Sequence, residues 1–187
     1  MTFRIEADSL HRLVYNSLLF DTKSAKAWRV GDQTLLMNTS DGQVYLEDFA
    51  SVDYSHNPMD NEHWIMSAEE IKLLENDLRQ VTGELHLTVF ADVDVLKVTT
   101  KDDGVGTYAI RYGEYAQQSE LFDDGDYEQV DGKFSINPDR LRKIALLQPR
   151  DYPVDCELVD LDGILVPVIR FTKGPSVRGT YATLSKV

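Results

Sequence analysis

The chain has 187 residues, of which 42% are apolar, and it carries a formal net charge of −13 at pH 7. It is long enough to bury a substantial core, but no segment approaches the roughly 18 consecutive apolar residues of a membrane-spanning helix. The first residues contain charges and no apolar run, so no secretory signal is predicted and a cytoplasmic location is expected. The single cysteine, Cys156, excludes a disulfide within the chain.

One spaced pattern of residues occurs three times. In each copy an aromatic residue is followed by an aliphatic residue at +2, an acidic residue at +5 and aliphatic residues at +7 and +10. The copies start at Phe3, Trp64 and Phe134, and turn signals follow about 28 and about 39 positions later. Alternation at the start, a helical period in the middle and later strands between tight turns predict a triplicated β-α-β-β-β unit.

The first two units contain the best-marked helices. In the first unit, residues 1–56, Asp8 precedes an apolar stripe that contains Leu10 and Leu13, and strands are predicted at 27–30, 33–39 and 43–50. In the second unit, residues 62–115, Ser67 and Glu70 form a capping-box pattern ahead of the stripe that contains Ile71 and Leu74. Its later strands are predicted at 84–91, 95–101 and 106–112.

An acidic connection and a third unit follow. Residues 114–131 contain seven acidic residues and no Lys or Arg, so 116–131 is predicted to be a solvated linker. The third unit, residues 132–187, has Asn137 and Pro138 at its helix start and Leu141 and Ile144 in its stripe. Its strands are predicted at 154–161, 164–172 and 179–185.

These elements predict an α+β protein in which three repeats form antiparallel sheets with the helices on one face. A single unit cannot bury both its helix and its sheet, so it needs a neighbour. The first two units are therefore predicted to pair as one domain, 1–115, and the third unit to be half a domain.

The basic residues of this acidic chain are concentrated on the predicted helices, where repeat positions +8 and +9 carry cations or histidine. These positions lie on or beside the side of the helix away from the apolar stripe, where cations can contact phosphates without reading bases. The candidate DNA-binding residues are His11, Arg12, Lys72, Arg79, Arg140, Arg142 and Lys143. The alternative is that these charges only solvate an outer helix face, and the four acids of the second helix favour that alternative.

An enzyme is not predicted. Asp92, Asp94 and Lys97 are similar to the acid-and-lysine cluster of a metal-dependent nuclease, but the two acids fall at a turn position of the repeat. Cys156 lies on the apolar face of a predicted strand, which favours a buried filler over a nucleophile. The sequence has neither a phosphate-binding glycine loop nor a nucleophile elbow, and no metal or cofactor is expected. A metal nuclease at Asp92 and Asp94 stays as a weaker alternative.

In its repeat pattern and charge placement the chain resembles the sliding-clamp family of DNA polymerase processivity factors. The resemblance covers residues 1–56, 62–115 and 132–187, and the third unit, with Phe134-Ser135-Ile136 before its helix, is the strongest local match. Members of that family pair β-α-β-β-β units into domains, and their helices line a ring around duplex DNA while the sheets face outward. Sliding clamps perform no chemistry.

The resemblance implies a processivity factor that binds duplex DNA without sequence specificity and tethers a DNA polymerase or another replication protein. Familiar clamps have an even number of units per chain, so three units are a departure that looks more like a viral or mobile-element relative, for example from a bacteriophage. A homo-oligomer is expected, and both a ring of four chains and an open arc fit the count. The alternative is a clamp-fold interaction or inhibitor protein that binds a partner clamp or a replication protein and not DNA.

A short segment of the acidic connection is a candidate partner-binding site. Gln118, Leu121 and Phe122 resemble the peptide by which polymerases and repair proteins bind bacterial clamps, a glutamine followed by a Leu-Phe pair. In such a peptide the Leu-Phe pair fills an apolar pocket and the glutamine satisfies backbone groups at the rim. The alternative is that Leu121 and Phe122 pack locally on the adjoining strand.

Overall fold

The computed structural model of the chain describes residues 1–31, 33–40, 45–54, 62–114, 128–132, 135, 137–147, 155–161, 164–172 and 178–182. The first unit contains β1 (Thr2–Glu6), α1 (Ala7–Phe20), β2 (Lys26–Gly31), β3 (Thr34–Ser40), β4 (Tyr45–Ser51) and β5 (Asp53–Tyr54). The second contains β6 (Glu62–Met66), α2 (Ala68–Leu78), β7 (Glu84–Phe90), β8 (Val95–Thr99), β9 (Val105–Ala109) and β10 (Arg111–Tyr112). The remaining elements are β11 (Glu128–Gln129), α3 (Pro138–Leu147), β12 (Asp155–Leu161), β13 (Ile164–Thr172) and β14 (Arg178–Ala182).

The observed elements confirm the predicted α+β class and its antiparallel sheets. The β-α-β-β-β order is present in the first two units, and the third contributes a helix followed by three strands. Its predicted first strand, at Phe134, lies outside the described residues. The two-residue strand β11 falls within the predicted linker and pairs with β12. Of the helices that the structure describes, none has the length and apolar content needed to span a membrane.

The first two units exchange their first strands. One sheet has the order β5-β1-β7-β8-β9 and the other has the order β10-β6-β2-β3-β4. Strand β1 therefore pairs with β7 of the second unit, from Thr2 opposite Thr88 to Glu6 opposite Glu84. Strand β6 pairs in return with β2 of the first unit. We call these two units, with β1–β10, α1 and α2, the interlocked pair.

The strand predicted at 106–112 is in fact two strands, β9 and β10, in different sheets. The end of the first unit is divided in the same way, with β4 in one sheet and β5 in the other. The backbone N–H of Ile110, between β9 and β10, donates to the carbonyl of Asp94 at 2.9 Å. The N–H of Val52, between β4 and β5, donates to the carbonyl of Gln33 at 2.9 Å. Gln33 and Asp94 both lie in left-handed turns, with φ of 60° and 54°. Each turn thus holds the segment that crosses from one sheet to the other.

The core of the interlocked pair is continuous across both units. Trp28 on β2 and Trp64 on β6 are 1% and 0% exposed, and their rings stack with centroids 6.1 Å apart and planes 5° apart. Phe3 on β1 lies against Trp64, with ring centroids 6.5 Å apart. Burial of large aromatic side chains is among the strongest apolar contributions to stability. The core therefore forms only when the two units are interlocked.

Helices α1 and α2 place their apolar stripes against this core, as predicted. Leu10, Leu13, Ile71 and Leu74 are each 0% exposed, whereas the side chains of Leu141 and Ile144 lie outside the described residues. Helix α1 contacts β1, β3 and β4, and α2 contacts β9. Helix α1 also contacts both α2 and α3, so the three helices lie side by side on one face, as predicted.

The helix starts agree with the predicted caps in α2 and α3 but not in α1. The Ser67 hydroxyl accepts the N–H of Glu70 at 3.2 Å, and the Asn137 side chain accepts the N–H of Asp139 at 2.9 Å. In α1 the N-cap residue is Glu6, which makes no side-chain cap, and Asp8 lies in the first turn. An acid in this turn still interacts favourably with the positive end of the helix dipole.

A buried lysine fixes the end of α1. Lys26 is 0% exposed, and its Nζ donates to the Asp21 carbonyl at 2.8 Å and to Thr39 Oγ1 at 2.5 Å. Partial burial raises the pKa of Asp21, but hydrogen bonds from Ser24 and Lys23 and the charge of Lys26 outweigh it and hold the pKa at about 2. The charge of Lys26 is thus neutralised inside the fold, so Lys26 is not part of the outer surface.

The third sheet has the order β11-β12-β13-β14 and adjoins the interlocked pair. Strand β14 lies beside β4, the outermost strand of the second sheet. Because α3 contacts α1 while β14 contacts β4, helices adjoin helices and sheets adjoin sheets. One surface of the molecule is therefore built by α1, α2 and α3, and we call it the helix side.

Candidate nucleic-acid interface

Three of the seven candidate DNA-binding residues are exposed on the helix side. Lys72 on α2, Arg79 at the C-cap of α2 and Arg142 on α3 all have exposed side chains. Arg140 and Lys143 lie on α3, but their side chains are outside the described residues. The exposed cations are thus spread over two helices, where phosphates on a rod-shaped ligand could meet both.

Arg12 is held inside the fold. Its side chain is 19% exposed, and Nη1 lies 3.2 Å from Oδ1 of Asp48, a β4 carboxylate that is itself 1% exposed. Its Nη2 donates to the Phe49 carbonyl at 3.0 Å, and Asn16 donates to the second Asp48 oxygen at 2.9 Å. A buried carboxylate needs such partners because removing it from water is costly. Arg12 therefore joins α1 to β4, and a phosphate contact by Arg12 stays a prediction.

His11 and Arg79 converge on one acid between α1 and α2. The carboxylate of Glu75, which is 8% exposed, lies 3.5 Å from His11 Nε2 and 2.9 Å from Arg79 Nη2. The hydrogen bond from Arg79 lowers the pKa of Glu75; burial opposes this, and His11 lowers it further. Glu75 thus stays ionised and bridges the two helices, and it already balances the charge that Arg79 presents.

Two other acids of α2 are bonded to β9. Asp77 accepts the hydroxyl of Tyr108 at 2.7 Å, and Glu70 accepts the N–H of Ala109 at 3.1 Å. Burial and the neighbouring Asp77 carboxylate raise the pKa of Tyr108, which keeps the phenol protonated as a donor. The acids that outnumber the cations of α2 in the sequence are therefore used in part to fix α2 on its sheet.

Among the side chains that the structure describes, each helix exposes one large apolar residue. Tyr15 on α1 is 47% exposed, Leu73 on α2 is 55% exposed and Leu146 on α3 is 61% exposed. The Tyr15 ring lies 6.1 Å from the His11 ring. The helix side therefore presents isolated apolar residues between its charges.

The remaining predicted sites divide between the described and undescribed parts of the chain. Gln118, Leu121 and Phe122 lie outside the described residues, and their role in partner binding stays a prediction. Asp94 is a turn residue whose carboxylate accepts the N–H of Tyr112 at 3.0 Å. Across the described residues, no three His, Cys, Asp or Glu side chains are grouped to hold a metal ion.

Sequence reasoning missed Asp48 and the role of Glu75. For Asp48 a signal exists, since Leu46, Asp48 and Ala50 alternate along β4 and all three are buried. An acidic side chain that faces the interior from a strand needs a cation or an amide as its partner. Helix α1, which packs on β4, carries both. For Glu75 no local signal distinguishes it from the exposed acids of the same helix.

Because Arg12 is paired with the buried Asp48, removing Arg12 should destabilise the fold, whereas removing a surface cation should not. Arg12→Ala leaves the Asp48 carboxylate buried with fewer partners, so we expect a loss of about 3 kcal/mol in the free energy of unfolding. Lys72→Ala, at an exposed position of α2, is the control and should stay within about 0.5 kcal/mol of the parent. Denaturant melts measure both values, and equal costs for the two variants would contradict the structural role of Arg12.

The lowered pKa of Glu75 predicts an acid-dependent stability. The folded-state pKa lies below the usual value of 4.5, so the Glu75 carboxylate stabilises the fold above pH 4.5 and loses this effect as the pH falls. The melting temperature should therefore fall more between about pH 5 and about pH 3 in the parent than in Glu75→Gln. Glu69→Gln, on the exposed side of α2, should keep the parental pH dependence. Unchanged acid dependence in Glu75→Gln would refute this assignment.

Comparison with known proteins identifies the fold. No protein-family model matches the sequence, and no curated protein matches it. The β clamp of Helicobacter pylori, solved with 5-chloroisatin, superposes with a TM-score of 0.65 at 12% identity, over 100% of this chain and 64% of that chain. The β subunit of Streptococcus pyogenes DNA polymerase gives a TM-score of 0.66 at 9% identity, over 100% and 65%.

A further match extends the same result. The DnaN sliding clamp of Pseudomonas aeruginosa, the β subunit of DNA polymerase III bound to griselimycin, gives a TM-score of 0.69 at 12% identity, over 100% of this chain and 66% of that chain. The chain thus spans about two thirds of the length of these clamps. At this low identity the likeness shows the fold alone. The chain has the fold of the DNA polymerase sliding clamps, as its repeat pattern predicted.

Proposed function

We propose that this chain is a clamp-like processivity factor that holds duplex DNA against its helix side and tethers a DNA polymerase or another replication protein. The observation that carries the proposal is the agreement with sliding clamps over the whole chain, with TM-scores of 0.65 to 0.69 for the three clamps described above. The helix side corresponds to the surface that, by resemblance, lines the DNA channel. The function needs no reaction chemistry.

The negative net charge limits how strongly the helix side can bind DNA. With a net charge of −13 the protein as a whole repels DNA, so attraction must come from local cations. Lys72, Arg79 and Arg142 are the exposed cations of the helix side in the described part of the chain, and they are the leading phosphate contacts. His11, Arg140 and Lys143 are proposed as further contacts, and Arg12 as a weaker one because its guanidinium is already paired with Asp48. Few contacts imply weak binding, which suits a protein that slides.

The tethering role rests on the acidic connection. The H. pylori β clamp has been solved with a DNA ligase peptide, at a TM-score of 0.63 to this chain. We propose that this chain makes the same type of contact and supplies the peptide. Gln118, Leu121 and Phe122 would then dock on another clamp or on another copy of this protein.

A second candidate function is a clamp-fold partner-binding protein that does not contact DNA. The exposed Tyr15 favours it, because aromatic side chains are enriched at protein interfaces and gain nothing from phosphates. The ion pair of Glu75 with Arg79 favours it too, because it offsets one of the exposed cations of the helix side. The two candidates differ in one measurable property, the salt-dependent binding of duplex DNA.

The test is binding of a fluorescent duplex at several salt concentrations. We expect association at low ionic strength that weakens as salt rises, with a slope that flattens by about 0.9 for each phosphate contact removed. Lys72→Glu and Arg142→Glu should each weaken binding and flatten the slope. Lys97→Glu, on the exposed face of β8, is the matched control because it changes the net charge equally on the sheet side.

Two outcomes would contradict DNA binding by the helix side. One is an absence of duplex binding even at low ionic strength, which would support the partner-binding function. The other is equal weakening by Lys97→Glu and by the two helix variants, which would indicate a response to net charge and not to a particular surface.

A further inference from the structure

A cavity of about 320 Å³ lies where strands of the two sheets of the interlocked pair meet. Its lining includes Met1 ahead of β1, Phe90 at the end of β7, Asp92 in the next turn, Glu62 at the start of β6 and Tyr112 on β10. Small-molecule sites in proteins range from about 300 to about 1,000 Å³, so this cavity is at the small end. Its size suits a single side chain.

The lining combines acidic residues with aromatic rings. Glu62 and Asp92 are acidic, and the Glu62 carboxylate accepts a hydrogen bond from the Tyr112 hydroxyl. Phe90 is 41% exposed, so part of its ring is available to a ligand. A planar guanidinium binds carboxylates through paired hydrogen bonds and stacks on aromatic rings, whereas an ammonium lacks the planar shape. The combination therefore fits the side chain of arginine.

The charges around the cavity favour a cation. Met1 contributes its terminal ammonium, which donates to the Val89 carbonyl at 3.0 Å. Two carboxylates and one ammonium leave the described lining with one excess negative charge. Arg111, next to Tyr112, is paired with Glu114 at 3.1 Å, so its charge is offset. The net charge of −13 also attracts a basic partner.

The fold does not require these residues at the cavity. The first unit has the same crossing between sheets. Counted from the left-handed turn residue of each unit, Arg29 stands at the position of Phe90, and Gly31 stands at that of Asp92. Neither an aromatic ring nor an acid is thus needed there to hold the crossing segment. A ligand accounts for both at this place in the second unit.

An apolar rim indicates that the arginine belongs to a protein. Val93, one residue after Asp92, is 63% exposed, and its N–H donates to the Phe90 carbonyl at 3.4 Å. Two exposed apolar side chains therefore lie at one turn beside the cavity. A protein partner can cover them with the residues that flank its arginine, whereas a free amino acid cannot.

We propose that the cavity binds the side chain of an arginine presented by a protein partner. The guanidinium pairs with the Asp92 carboxylate, the Glu62 carboxylate adds to the attraction, and the apolar stem of the arginine packs on Phe90. The described lining consists of residues on strands and in a turn, so the site does not use the helix side. The proposal therefore does not depend on DNA binding.

The experiment is a titration followed by NMR, with N-acetyl-arginine N-methylamide as the probe of an arginine within a peptide chain. The backbone amides of Phe90, Asp92 and Tyr112 should shift in a saturable way. The matching citrulline amide keeps the shape and removes the charge, so its dissociation constant should be at least about 10-fold higher. The matching lysine amide should bind more weakly. Free arginine should also bind more weakly, because the acidic lining repels its α-carboxylate.

Three variants test the roles of the residues. Asp92→Asn should raise the dissociation constant of the arginine probe by about 10-fold, because it removes the charged partner of the guanidinium. Phe90→Ala should also weaken binding, since the arginine stem loses its apolar contact. Asp102→Asn removes the same charge from another exposed turn, and it should bind the probe like the parent. Positions 92 and 102 are both exposed, so the two Asn variants should melt close to the parent.

Several outcomes would overturn the proposal. One is the absence of saturable shifts at the three amides with the arginine probe. Equal binding of the citrulline or lysine amide excludes recognition of a guanidinium, and equal weakening by Asp92→Asn and Asp102→Asn indicates a response to net charge alone. Free arginine that binds as tightly as the probe identifies a small-molecule ligand in place of a protein partner. If Asp92→Asn does not fold, Phe90→Ala decides, since parental binding by that variant excludes the cavity.

Discussion

The exchange of first strands between β-α-β-β-β units is the constraint on which the rest of this structure depends. Because β1 belongs to the sheet of the second unit and β6 to the sheet of the first, neither unit has a complete sheet of its own. The stacked Trp28 and Trp64 show the same dependence in the core, since each comes from a different unit. The left-handed turns at Gln33 and Asp94 then hold the segments that cross between the sheets.

This interlocking also decides how the charges of the helices are used. Helix α1 must be fixed on β4 and beside α2, and it is fixed by the ion pair of Arg12 with Asp48 and by the contact of His11 with Glu75. Cations that hold the fold together are less available to a ligand, so the helix side has fewer exposed cations than the sequence suggests. A clamp that holds DNA by surrounding it needs little affinity, and weak electrostatic attraction is compatible with sliding. A protein partner, by contrast, would use the exposed apolar residues of the same side.

Local patterns in the sequence predicted most of the helices and strands. The pairings between these elements were harder to predict. The stripes of Leu10, Leu13, Ile71 and Leu74 and the caps at Ser67 and Asn137 were predicted because helix periodicity and capping act over a few residues. The strand exchange was not, since it joins β1 to residues about eighty positions away. The split at Ile110 was missed because an apolar residue in an apolar run gives no sign that the strand changes sheets. The partners of Arg12 and His11 lie on other elements, and the period of one helix does not reveal them.

Native-state hydrogen exchange of the backbone amides tests the central claim, that the first two units are one cooperative structure because each holds the strand of the other. The account predicts that the slowest amides of β1, β2, β6 and β7 share one opening free energy, since no unit can open without breaking the sheet of its companion. Amides of the first unit that exchange through an opening of clearly lower free energy than those of the second unit would contradict it, because such a result requires the units to unfold separately.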